Sequence, residues 1–146
     1  MAIGSIFISS VQKELAAERR ALKDFIEGDI LLRRFFTFLW EDLPAADRRA
    51  DEHYIESIDR CSIYIGLFGN DYGYEDSDGI SPTEREFDRA TSQGKASLIF
   101  LKGTDDKKRH PKMQALINKA ERQLIHRRFT DISDLLSNVY ASLVQY

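Results

Sequence analysis

The segment Ser62 to Phe68, SIYIGLF, limits the fold more than any other part of this chain, because it is apolar on both of its alternating faces. A half-exposed antiparallel strand alternates apolar with polar residues. A strand with almost no polar face has to be covered on both sides, as helices cover the centre of a parallel sheet. Four further runs read as strands: Ile3 to Ser9, Arg34 to Trp40 (RFFTFLW), Ala96 to Leu101 (ASLIFL) and Leu124 to Phe129. Helical spacing of apolar residues fills the intervals. It spans Val11 to Ile26 with Ser10 as cap and Gly28 as stop, then about Arg48 to Arg60 beyond Pro44, Pro111 to Arg122, and Asp131 to Val144. Ser81-Pro82-Thr83-Glu84 opens the remaining helix with a cap, a proline at the first helical position and a glutamate at the third. Strand and helix thus alternate five times. The predicted fold is an α/β, flavodoxin-like three-layer sandwich with a five-stranded parallel sheet in the order 2-1-3-4-5.

A chain of 146 residues with 42% hydrophobic and 31% charged residues is sized for one domain with one sheet. We therefore expect a single domain over residues 1–146. The formal net charge of -3 gives no overall attraction to nucleic acid or anionic lipid, so neither is expected as a partner. No apolar run approaches the ~18 residues that cross a bilayer. Cys61 is the only cysteine, which excludes an internal disulfide and fits a reducing, cytoplasmic setting. His53, His110 and His126 stand in separate elements without ligand spacing, and no glycine-rich dinucleotide or Walker loop is present. Neither a metal nor a cofactor is expected.

Open parallel sheets bind ligands beyond the carboxyl ends of their strands. That rim collects Ser9 and Ser10 after the first strand, Trp40 and Glu41 after the second, Asn70 to Ser81 after the third, and Lys102 to Asp105 after the fourth. The long third loop ends at a helix amino terminus, whose free N–H groups favour a phosphate or carboxylate. A nucleotide-like small molecule suits it. Glu84 is explained by a capping box with Ser81. Glu86 shares a helical stripe with Thr83 and Ala90 beside Phe87, which leaves two readings: a carboxylate facing the cleft, or a solvated one paired with Arg85 or Arg89. Tyr72 and Tyr74 either stack on a ligand ring or pack down to order their loop. Arg19-Arg20, Arg48-Arg49, Arg127-Arg128 and the run Lys107 to Arg109 read as solvated faces.

The segment Ile6 to Ser10 with Glu14, Glu18 and Arg19, the segment Gly66 to Gly73, and Ser81 to Ala90 together resemble the domain-of-unknown-function 4062 family. That family is similar to TIR domains and nucleoside 2-deoxyribosyltransferases. The resemblance implies an amino-terminal module of a longer protein, joined to a signalling NTPase or other effector domain, with self-association as another mode of partnering. Thr83, Glu86 and Ala90 stand in the pattern of the transferase helix, which implies that Glu86 is the catalytic carboxylate. Ser9, Ser10, Asp71, Tyr72, Ser81 and Thr83 would frame the ligand. Those transferases carry an acidic residue just before the glycine that ends the third strand, and here Phe68 precedes Gly69. This departure favours hydrolysis of an NAD-like N-glycoside over deoxyribosyl transfer. The resemblance thus implies a TIR-like signalling or defence domain that binds a nucleotide and cleaves its N-glycosidic bond. The alternative is a non-catalytic interaction module that regulates an attached domain.

Overall fold

A computed structural model describes residues 4–29, 31–33, 35–38 and 50–145, with the side chains of 35–38 and 50–54 excepted. Strands and helices alternate: β1 (Gly4–Ser9), α1 (Ala16–Gly28), β2 (Phe35–Phe38), α2 (Ala50–Arg60), β3 (Ile63–Phe68), α3 (Pro82–Ser92), β4 (Ala96–Lys102), α4 (Pro111–Glu121), β5 (His126–Phe129) and α5 (Ile132–Leu143), with a short 3-10 turn over Asp106–Lys108. Every strand pairing is parallel, and the sheet runs β2-β1-β3-β4-β5.

The expected five-stranded sheet is corrected at its second strand. The sheet whose side-chain packing is described has four strands, β1, β3, β4 and β5, lying side by side in chain order. β2 adds a short backbone pairing along the outer edge of β1, from Gly4 with Phe35 to Phe7 with Phe38. Of the run predicted as Arg34 to Trp40, the described strand residues are Phe35–Phe38, paired with Gly4 to Phe7 of β1. Arg34, Leu39 and Trp40 lie outside the described residues, as do Glu41, Pro44, Arg48 and Arg49.

β3 is buried along its whole length, and its two faces feed two cores. Ile63, Ile65 and Leu67 join Ile6 and Ile8 of β1 under α1 and α5, against Leu22, Ile26, Leu135 and Val139. Tyr64 and Phe68 join Phe7 under α2, α3 and α4, against Ile58, Phe87, Met113 and Ile117. Truncating one such core phenylalanine to alanine costs ~3–5 kcal/mol, so each face is stabilised by a handful of large side chains.

Helix α1 starts later than its spacing suggests. Ser10 does not cap it; Leu15 is the cap residue, and a single turn closed by Leu15 N–H donating to Val11 O at 3.1 Å precedes it. The Ser10 hydroxyl instead accepts from Arg19 Nη1 at 2.9 Å. Ser81 does cap α3: its Oγ accepts from Glu84 N–H at 3.2 Å, with Pro82 at the first turn. The expected reciprocal half of a capping box is replaced, since Ser81 N–H donates to the Tyr72 hydroxyl at 3.2 Å. Ser81→Ala should cost about 1 kcal/mol through loss of this cap, read as a lower denaturant midpoint at unchanged slope.

Candidate active site

The β1–β3 pairing sets Ser9 opposite Gly66 on the face that carries Phe7, Tyr64 and Phe68. The first two turns of α3 lie over the same face, with Thr83, Glu86, Phe87 and Ala90 as its buried stripe. These constraints bring Ser9 and Glu86, 77 residues apart, into contact: Ser9 Oγ donates to Glu86 Oε1 at 2.6 Å. Ser9 is fully buried and Glu86 is 8% exposed. The solvated reading of Glu86 is therefore corrected. Arg85 is engaged by Asp76 and Asp78, and Arg89 holds Asp59 with two nitrogens at 2.7 and 2.9 Å.

Tyr64 was not anticipated as part of this site. Its ring approaches within 3.2 Å of where a Cβ on Gly66 would stand, so glycine at that position lets the ring lie along the sheet. The Tyr64 hydroxyl is fully buried and has no hydrogen-bond partner among the described residues. Burial pushes its ionisation well above the ordinary phenol range; nearby Ser9 opposes this and the Glu86 charge adds to it. Phe68, at the position where the transferases place an acid, packs edge-to-face on Phe87 with centroids 6.2 Å apart. It seals the apolar floor of the site.

The long β3–α3 loop is fixed at its start by Glu14. One carboxylate oxygen accepts from Asn70 N–H at 2.8 Å and the other from Asp71 N–H at 3.0 Å. A Cβ on Gly69 would come within 2.6 Å of that carboxylate, which is why this position is a glycine. Asp71 itself is exposed, joined to the site through its backbone. Tyr72 packs down: its hydroxyl donates to Glu84 Oε1 at 2.6 Å and its ring stacks on His110 with centroids 5.7 Å apart. Burial first, and the Glu84 carboxylate next, push Tyr72 above the usual phenol range, so its proton stays in place. Tyr74 is 77% exposed. Of the predicted frame, then, Ser9 touches Glu86, Thr83 lies buried on its stripe, Ser81 and Tyr72 hold one another, and Ser10 turns to Arg19.

The basic runs are only partly solvated. Arg19 and Arg109 are 2% and 6% exposed. Arg109 donates to Gly69 O at 2.7 Å, to Lys102 O at 2.9 Å and to Asp106 Oδ1 at 2.9 Å, tying the ends of β3 and β4 together. Lys102 meets buried Glu18 at 2.5 Å. Nothing in the run Lys107 to Arg109 distinguished the buried arginine from its exposed neighbours, because the carbonyls it binds belong to distant strand ends. Among the described residues no group of three His, Cys, Asp or Glu side chains is placed to hold a metal ion. The His53 side chain lies outside the described residues.

The family model for the domain of unknown function DUF4062 matches residues 5–144. The chain belongs to that family. No curated protein matches it. Among solved structures it is similar to a CMP N-glycosidase of Clostridium botulinum, BcmB, with a TM-score of 0.61 at 11% identity, covering 94% of this chain and 98% of that one. At this identity the likeness is one of fold.

Two outcomes follow from the rim. Gly69→Ala should force the Glu14 carboxylate off its two amides, so hydrogen exchange at Asn70 and Asp71 should accelerate while the β3 amides stay protected. Arg128 foremost and Arg109 next hold the Asp106 carboxyl down at about 2, against 3.8 ordinarily. A depressed carboxyl contributes stability above its unfolded value and loses it as pH falls through the folded one. Asp106→Asn should therefore lower the denaturant midpoint at pH 6, and the difference from wild type should shrink between about pH 4 and pH 2.

Proposed function

We propose that this DUF4062 domain is a TIR-like signalling or defence module that binds a nucleotide and hydrolyses its N-glycosidic bond, with Glu86 as the reacting carboxylate. The observation that carries this reading is the buried Ser9–Glu86 contact beside the β1 and β3 strand ends. A carboxylate this shielded, on the buried stripe of α3 beside Phe87, acts through a low effective dielectric. Its charge then counts for more against a nearby cation than it would in water.

In such a reaction the bond from the sugar's anomeric carbon to the base nitrogen breaks, and its electron pair leaves with the base, which takes up a proton. Positive charge develops at the anomeric carbon, where a carboxylate either stabilises it or attacks it. A water then supplies the hydroxyl of the free sugar and releases a proton. The Ser9 hydrogen bond would hold the Glu86 carboxylate in place beside the anomeric carbon. The fold likeness to a CMP N-glycosidase is consistent with this chemistry on such a framework, and the substrate class proposed is a nucleotide with an N-linked base or nicotinamide. No helix among the described residues is long and apolar enough to cross a membrane. We place the module in the cytoplasm, joined to a further effector domain or acting as a self-associating unit.

Incubation with nicotinamide, purine and pyrimidine nucleotides should release a free base from at least one of them. Glu86→Gln keeps size and removes the charge, so release should fall at least about 100-fold with nucleotide affinity within a few-fold of wild type. Absence of release from every nucleotide would leave the interaction module as the reading of this domain.

A further inference from the structure

We infer that Tyr64 is a positioning residue for Glu86, acting through Ser9 in a chain Tyr64–Ser9–Glu86. Ser9 has one hydrogen, and Glu86 Oε1 takes it at 2.6 Å. Ser9 Oγ retains acceptor lone pairs. The Tyr64 hydroxyl is the complementary group: a donor without a partner among the described residues, beside Ser9 in a side chain that is fully buried. Buried polar groups are almost always satisfied, and each exception calls for an explanation. Gly66 supplies it here. It pairs with Ser9 and lets the Tyr64 ring lie over the strand towards that residue, in the space a side chain would fill.

A donor beside an oxygen that already donates strengthens the outgoing bond, because chained hydrogen bonds polarise one another. With the Tyr64 hydroxyl donating to Ser9, Ser9 becomes a better donor to the carboxylate, which favours the charged form of Glu86 and fixes its rotamer. The relay also explains why a hydroxyl is kept where phenylalanine would fill the same space without an unsatisfied atom. The other ionisable groups that bear on the Tyr64 hydroxyl are Asp88 and Cys61, and neither is placed between it and Glu86 by any contact described.

The inference rests on Glu86 being the reacting carboxylate, but its central test needs no substrate. The Glu86 carboxyl is titrated by carbon-13 NMR in protein labelled at glutamate and assigned with Glu86→Gln. It is compared among wild type, Tyr64→Phe, Ser9→Ala and the double variant. Tyr64→Phe should raise the Glu86 pKa by about one unit while the protein stays folded, since the ring that fills the core is kept. In the Ser9→Ala background the same substitution should shift it by no more than about 0.3 units, because the coupling passes through Ser9. If a nucleotide is hydrolysed, Tyr64→Phe should lower kcat about tenfold at neutral pH with KM unchanged, and move the acid limb of the pH profile upward. An unchanged Glu86 titration in Tyr64→Phe, or an equal shift with and without Ser9, would overturn the relay. Failure to hydrolyse any nucleotide would overturn the enzyme reading alone.

Discussion

A carboxylate cannot be withdrawn from water without hydrogen-bond partners, and in this chain Ser9 is a partner of Glu86. That single contact joins the end of the first strand to the third helix. It exists only because β1 and β3 pair in parallel with Ser9 against Gly66, and because α3 is seated over them by Phe87 and Ala90. The order of the sheet, the seating of the helix and the position of the acid are thus one constraint. A one-residue slip of β1 would send Ser9 to the face covered by α1 and α5 and put an apolar side chain beneath Glu86.

The rim above this contact is held from several sides. Glu14 takes two amides at the start of the β3–α3 loop, and Arg109 binds the carbonyls that end β3 and β4. Arg85 brackets the loop's far side through Asp76 and Asp78, and Lys112 does so through Glu75 and Gly79. Most of these are charge-assisted bonds to backbone or to buried partners, stronger and more directional than exposed ion pairs. A preformed rim is what a small-ligand site requires.

The alternation of strands and helices was legible because SIYIGLF lacks a polar face and because Ser81-Pro82 marks a helix start in any context. Glu86 was legible as a residue on an apolar stripe. Its partner was not, since contact between residues 77 positions apart depends on strand order. The late start of α1 escaped the spacing because Ser10, which has the chemistry of a cap, is claimed by Arg19. Tyr64 was hidden for the opposite reason: inside an apolar run its ring accounts for its presence, and only Gly66 two residues on makes room for that ring along the sheet. Arg109 looked like one of three solvated cations until two strand ends supplied carbonyls for it.

The most direct test is a crystal structure of the domain with a nucleotide analogue whose glycosidic bond resists cleavage. The anomeric carbon should lie about 3–3.5 Å from a Glu86 carboxylate oxygen, the separation of a near-attack arrangement, with the Ser9–Glu86 bond intact. An analogue bound with its anomeric carbon remote from Glu86, or seated away from the ends of β1 and β3, would contradict it.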